Sequence, residues 1–174
     1  MSNFISGSTR KGSSNGLILN GLATAYRDKL YFDLYEELAT LPHFNPDLDS
    51  DPVPLPVKQF RERISSADGI LICTPEYIFA LPGALKNAIE WTVSTTILLN
   101  KPVAFIVASG LGEKTFESLK IILETVGASM PLENTLLIQG ARGKLGPDGT
   151  IKDKTANQLL HNLMRSFMVT MEVN

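Results

Sequence analysis

"GILICTPEYIFALPGALKNAIEW", residues 69–91, holds a strand, a bend and a helix in succession. The run 69–74 is apolar and partly β-branched between Gly69 and Pro75, which predicts a central strand covered on both faces. Pro82 suits the first position of a helix over 82–93, where its missing N–H would have no intrahelical partner. The same alternation extends in both directions. Towards the N-terminus, "NFIS" (3–6) reads as a strand stopping at Gly7, 15–30 as a helix, "YFDLY" (31–35) as a strand and 57–67 as a helix. Towards the C-terminus come a strand over 101–109, a helix over 113–127 stopped by Gly127, "NTLLIQ" (134–139) as the last strand, and a helix over 154–171. Ile18, Leu22, Ala25 and Tyr26 form the core stripe of the first helix, and Leu159, Leu160, Leu163, Met164 and Phe167 that of the last. Strand and helix alternating five times predict an α/β protein with a parallel sheet and helices on both faces. Ligands in such sheets sit outside the carboxyl ends of the strands, where strand order reverses. That rule selects the loops 7–14, 36–56, 75–82 and 109–113. Five of the ten prolines fall in 38–56, which predicts a long surface loop, and 144–153 holds a Pro-Asp-Gly turn.

The totals narrow the possibilities. A chain of 174 residues fits one domain spanning 1–174. A net charge of -2 provides no global basic field for nucleic acid or anionic membrane. The runs "VAFIVA" and "GILIC" are far shorter than the roughly 18 residues of a membrane helix. The first residues lack the apolar stretch and cleavage site of a secretory signal, and a single Cys builds no disulfide framework, so a cytoplasmic location is expected. Cys73, inside an apolar strand pattern, is expected as a small buried hydrophobe.

Residues 7–14 leave the first strand and enter the first helix, so backbone N–H groups and a positive helix end converge there. Ser8, Thr9, Ser13 and Ser14 add hydroxyls and Arg10 a guanidinium fork suited to phosphate oxygens. A Ser-rich helix cap with a solvated Arg explains the same residues without a ligand. The nucleotide-triphosphate pattern G-x-x-x-x-G-K-[ST] finds Gly7 and Gly12 but has Ser13 where the Lys belongs, and Lys11 precedes Gly12. The dinucleotide fingerprint G-x-G-x-x-G is also missing; "GLGEKT" (110–115) lacks its last Gly.

The bend "TPEY" places a carboxylate and an aromatic directly after a buried strand, and Pro82 and Gly83 stiffen the entry to the next helix. "GSTRKGSSN" followed by "PEY…PGALKNAIEW" resembles the NADPH-dependent FMN reductase family, flavodoxin-like proteins that include quinone, chromate and azo-dye reductases; "LPHFNPDLD" and "FIVASGLG" are similar to it as well. The resemblance implies a flavodoxin-like three-layer sandwich with a five-stranded parallel sheet in the order 2-1-3-4-5. It implies that Ser8, Arg10, Ser13, Ser14 and Asn15 hold the FMN phosphate, that Pro75, Glu76, Tyr77 and Ile78 lie along the isoalloxazine ring, and that Ser109 and Gly110 line its other edge. The implied activity is hydride transfer from NADPH or NADH to FMN and then to a quinone-like small acceptor, with no side-chain nucleophile or general base. A homodimer or homotetramer follows from the family, closed across the helices at 82–93 and 113–127, with Ile78, Phe79 and Leu81 suited to the contact. Two positions depart from the family: Ile78 stands where Asn is frequent, and "GEKTFES" (112–118) lacks an Arg, for which Lys114 is a partial substitute. A flavodoxin-type electron carrier and a non-catalytic interaction protein of the same fold remain as alternatives. Arg10 and the mild charge argue against the carrier.

Other constellations fail on spacing. "DLDSD" (47–51) begins like a calcium loop, but Pro52 and Lys58 occupy the positions of its Gly and Glu. His43, His161 and Cys73 have no metal-ligand spacing, although His43 could rim a pocket. Basic residues over 141–153 read as a solvated turn, and Trp91 as core or interface.

Overall fold

A computed structural model describes residues 2–10, 12–146 and 149–173. Its strands are β1 (Ser2–Ser6), β2 (Phe32–Tyr35), β3 (Gly69–Thr74), β4 (Val103–Ser109) and β5 (Thr135–Gln139). All neighbours pair in parallel, in the order β2-β1-β3-β4-β5. The helices are α1 (Ser14–Ala25), α2 (Leu55–Ser66), α3 (Gly83–Glu90), α4 (Glu113–Thr125), the short α5 (Ala141–Lys144) and α6 (Lys154–Val173).

The period of two along the central strands produces the layers. Ile70, Ile72, Val103, Phe105 and Val107 face one core with Phe60 and Ile64 of α2, Leu85 of α3 and Leu119 of α4. Leu71, Cys73, Ala104 and Ile106 face the other, with Ile18 and Leu22 of α1 and Leu163 and Phe167 of α6. The three-layer, flavodoxin-like sandwich expected from the sequence is therefore present. Chain order reverses between β1 and β3, which puts the switch point at their carboxyl ends.

Several boundaries differ from the expectations. Helix α1 stops at Ala25, which is exposed, and turns through Tyr26, whose hydroxyl lies 2.7 Å from His161 Nδ1 on α6; Leu19, off the expected stripe, is fully buried because α1 is covered by both sheet and α6. On α6, Leu159 is exposed while Leu160, Leu163, Met164 and Phe167 are buried. Pro82 caps α3 from outside its first turn. Helix α2 begins at Leu55 and takes Pro56 into its first turn, where the absent N–H costs nothing. Of the expected Pro-Asp-Gly turn, Pro147 and Asp148 lie outside the described residues. Gly149, at φ +83°, packs on α1 so closely that a Cβ would lie 2.8 Å from the Leu17 carbonyl carbon.

The proline-rich segment is folded back and fastened. Short 3₁₀ turns at Leu38–Thr40 and Pro46–Leu48 punctuate it. The Pro42 carbonyl accepts from Asn87 Nδ2 at 2.9 Å and from Trp91 Nε1 at 2.8 Å, and the Phe44 amide donates to Asn87 Oδ1 at 2.7 Å. Phe44 meets the fully buried Trp91 edge-on at 5.1 Å, which assigns that Trp to the core. Arg61 of α2 donates to the Trp91 carbonyl at 2.7 Å and to Asp49 Oδ1 at 2.6 Å.

The side chains of Arg61 and Asp49 are only 15% and 7% exposed, so removing one partner strands the other. Burial alone would raise the Asp49 pKa, but hydrogen bonds from Arg61 and Ser94 and the guanidinium charge outweigh it, and the group lies below its ordinary value. A depressed carboxyl contributes stability above its unfolded pKa of about 3.9 and loses it as pH falls through the lower folded value. Asp49→Asn is expected to cost about 3 kcal/mol in urea unfolding at pH 7. At pH 2 the difference from the unsubstituted chain should shrink clearly; an equal loss at both values would rule out the charge pairing.

Candidate functional site

A cleft of about 630 Å³ opens at the switch point, within the ~300–1,000 Å³ span of small-molecule sites. Its walls come from the bends after β1, β3, β4 and β5. Ten of the eleven residues singled out in the sequence line it: Ser8, Arg10, Ser13, Ser14, Asn15, Pro75, Glu76, Tyr77, Ser109 and Gly110. Ile78 does not.

The first bend is set by Gly7. Its amide donates to the Cys73 carbonyl at 2.8 Å, and a Cβ on it would lie 2.6 Å from Thr74 Cβ. Only glycine lets this loop lie against the end of β3. Ser13 then caps α1, its Oγ accepting from the Gly16 amide at 3.1 Å. Ser8 Oγ accepts from the Arg10 amide at 3.4 Å and lies 3.4 Å from the Tyr77 hydroxyl across the cleft. Asn15 is buried at the cleft floor, where its Oδ1 accepts the Cys73 thiol hydrogen at 3.2 Å. Burial pushes the Cys73 thiol pKa far up, so it is no nucleophile. Arg10 is exposed, and among the described residues its guanidinium has no ion-pair partner. Hydroxyls, a guanidinium and the positive end of a 12-residue helix form a donor-rich cradle whose chemistry suits a phosphate monoester.

The second bend is a tight hairpin. Tyr77 and Ala80 exchange backbone hydrogen bonds of 2.9 and 3.0 Å around Ile78 and Phe79, whose φ values are +51° and +57°. Two left-handed residues at a two-residue turn favour Asn and Gly, and a β-branched side chain there is strained. Ile78 is 96% exposed at the tip, away from the cleft, while Tyr77 presents a half-exposed ring to it. The hairpin's conformation therefore explains what Asn at position 78 would offer: it fits that backbone.

Glu76 fastens this bend to the next one. Its Oε1 accepts from the Gly112 amide at 3.1 Å and its Oε2 from the Thr115 amide at 3.0 Å, while its own amide donates to Ser109 Oγ at 3.3 Å. Gly112, at φ +99°, is the N-cap of α4 and offers no side chain, so Glu76 supplies the missing anion from another loop. The carboxylate is thereby spent on the scaffold.

The fourth wall was not foreseen. Gly140 and, from the stretch 141–153 that the sequence presents as a solvated basic turn, Ala141, Arg142 and Gly143 follow β5 and line the cleft as the N-cap and start of α5. The rule that selected the other loops applies to this one too, since β5 is also parallel. Cβ atoms placed on Gly110, Gly140 or Gly143 would meet nothing within 4 Å, so these walls leave room for a flat ring. Lys114 points elsewhere: it pairs with Glu117 at 2.9 Å, whose hydrogen bond and charge raise its pKa, and it is not in the lining. His43 is exposed and outside the lining, and Asp49 of the acidic loop is engaged by Arg61. No three His, Cys, Asp or Glu converge among the described residues.

Glu76→Ala is expected to cost roughly 1–2 kcal/mol, the size of a lost charged cap. Hydrogen exchange at the Gly112 and Thr115 amides should accelerate with it; unchanged protection at both would disprove the cap.

Three comparisons bear on this cleft. Residues 3–143 match the family model for NADPH-dependent FMN reductases. The NADH:(hydroxy)cinnamate reductase subunit CrdA of Vibrio ruber is 30% identical over 97% of this chain and 86% of its own, and the 2-hydroxy-1,4-benzoquinone reductase of a Burkholderia species is 27% identical over 92% and 90%. The flavoenzyme NAD(P)H:(acceptor) oxidoreductase FerB from Paracoccus denitrificans superposes with a TM-score of 0.83 at 31% identity, covering 98% of this chain and 96% of that one. The phosphate cradle, the aromatic hairpin and the glycine-lined wall fit FMN, and the chain belongs to the NADPH-dependent FMN reductase family as an FMN-dependent NAD(P)H oxidoreductase.

Proposed function

We propose that the chain reduces quinone-like small acceptors with NAD(P)H in the cleft walled by the bends after β1, β3, β4 and β5, in the cytoplasm. The observation that carries this reading is one open cleft that joins a phosphate cradle to a flat, partly aromatic wall, in a chain of this family. The names of two relatives, a benzoquinone reductase and an NAD(P)H:(acceptor) oxidoreductase, support the choice of acceptor. FMN, when bound, supplies the hydride-accepting and hydride-donating chemistry. The chain's own part is to bind and orient. Ser8, Arg10, Ser13, Ser14 and Asn15 hold the phosphate; Pro75 and Tyr77 support one side of the ring and Ser109 and Gly110 the other. Glu76 keeps those two walls at a fixed separation.

The same reading includes a homodimer or homotetramer. Ile78 and Phe79 are exposed and held in a strained turn, and strain of this kind persists where it is used. Val93, just beyond α3, and Ile121 on α4 are exposed as well, which suits the helices expected to meet a second copy.

The purified protein should be yellow, bleach when NADPH or NADH is added without oxygen, and recover its colour when benzoquinone follows. Failure of both nucleotides to bleach it would end the reading. Arg10→Ala should weaken FMN binding about 10- to 150-fold, the equivalent of ~1.5–3 kcal/mol for a charge-assisted hydrogen bond, with unfolding free energy changed by no more than about 0.5 kcal/mol. Ile78→Asn relieves the turn but removes an apolar contact, so sedimentation should show a shift towards monomer. Unaltered assembly would take the hairpin out of the interface.

A further inference from the structure

The cleft holds a second guanidinium that the flavin phosphate does not require. Arg142 follows Ala141, which is 2% exposed and packed in the core with Ile18, so its backbone is anchored while its side chain is exposed. The Gly140 amide, donating to the Gly110 carbonyl at 3.1 Å, ties this bend to the one after β4. Among the described residues the Arg142 guanidinium has neither an ion-pair nor a hydrogen-bond partner. Glu76, the carboxylate in the described lining, has both oxygens turned to amides at the N-terminus of α4, those of Gly112 and Thr115. A chain of net charge -2 thus concentrates two unneutralised cations, Arg10 and Arg142, around one cavity.

Strand register separates the two. Ser6, ending β1, is level with Cys73, Ile106 and Leu136, whereas β4 and β5 continue to the pair Ser109 and Gln139. Three more residues at ~3.3 Å each add about 10 Å along the strands, and three strand spacings of ~4.8 Å put β5 about 14 Å across from β1. The cradle on α1 is complete without a group anchored so far away, and FMN carries a single phosphate. The other reactant carries more: a diphosphate bridge, and in NADPH a 2′-phosphate. Resting on the assignment of this cleft to FMN and NAD(P)H, we propose that Arg142 is a specificity-determining residue that binds a phosphate group of the nicotinamide nucleotide. Its planar fork suits two phosphate oxygens at once.

The test uses Arg142→Gln, Arg142→Lys and, as a control for general charge, Lys144→Gln on the same helix but outside the lining. NADP+ and NAD+ are titrated calorimetrically into each protein saturated with FMN, and FMN is titrated into each apoprotein by fluorescence. Arg142→Gln should weaken NADP+ binding about tenfold or more and raise the KM for NADPH in parallel, with FMN affinity held within about twofold. Arg142→Lys should recover part of the loss and Lys144→Gln should show none. Loss confined to NADP+ assigns the 2′-phosphate; equal loss for NADP+ and NAD+ assigns the diphosphate. Unchanged binding of both nucleotides overturns the proposal, as does a fall in FMN affinity with nucleotide binding intact, or a Lys144→Gln effect as large as that of Arg142→Gln. An unsubstituted protein that binds no FMN would overturn the parent assignment together with this one, whereas FMN binding beside an unaffected Arg142→Gln variant overturns this one alone.

Discussion

The close approach of Gly7 to the end of β3 is the constraint on which the cleft depends. The hydrogen bond from its amide to the Cys73 carbonyl carries the β1–β3 ladder one residue past the strand, and Thr74 Cβ and Leu85 Cδ2 occupy the space any side chain would need. Thr74 is itself fully buried and cannot swing away. The first bend and the second therefore leave the sheet side by side, which is why Ser8 Oγ and the Tyr77 hydroxyl come within 3.4 Å although 69 residues separate them. A larger residue at position 7 would part the two bends and carry the N-terminus of α1 away from the ring wall.

Several residues that make the sequence distinctive serve this scaffold rather than the chemistry. Asn87 and Trp91 of "KNAIEW" both hold the Pro42 carbonyl and so fasten the proline-rich segment against α3. Glu76 of "PEY" caps α4. The cleft is left to hydroxyls and two arginines among its described lining. A pocket assembled from four loops needs each loop fixed to its neighbour, and long polar side chains reaching across do so where no regular ladder runs.

The layer architecture was legible because buried parallel strands must be apolar on both faces and the flanking helices amphipathic: "GILICT" and "VAFIVAS" could be little else. Strand order was not in the periodicity; it came with the resemblance carried by the two glycine- and proline-marked bends. The fourth wall escaped because α5 is one turn of "ARGK", with a single core contact at Ala141 and no stripe to detect. Nor does any spacing rule connect Asp49 with Arg61, or Glu76 with the Gly112 amide, since these pairings exist only after the loops have folded back. The left-handed backbone at Ile78 is similarly invisible, because a β-branched residue argues against the conformation it adopts.

The cleft's titratable groups show where the protein's contribution ends. Glu76 is engaged at both oxygens, the Cys73 thiol is buried with its hydrogen given to Asn15, and His43 lies outside the lining. None of the three is poised to take or give a proton at the ring wall. What faces the open space is a set of donors: the hydroxyls of Ser8, Ser14 and Ser109, the Tyr77 hydroxyl, and the guanidinium groups of Arg10 and Arg142. Donors without a free base attract and orient anions, and in a water-accessible cleft their value lies in fixing position more than in lowering a barrier. On the proposed reading, such a lining leaves rate to the electron-transferring group it would hold and keeps selectivity for itself.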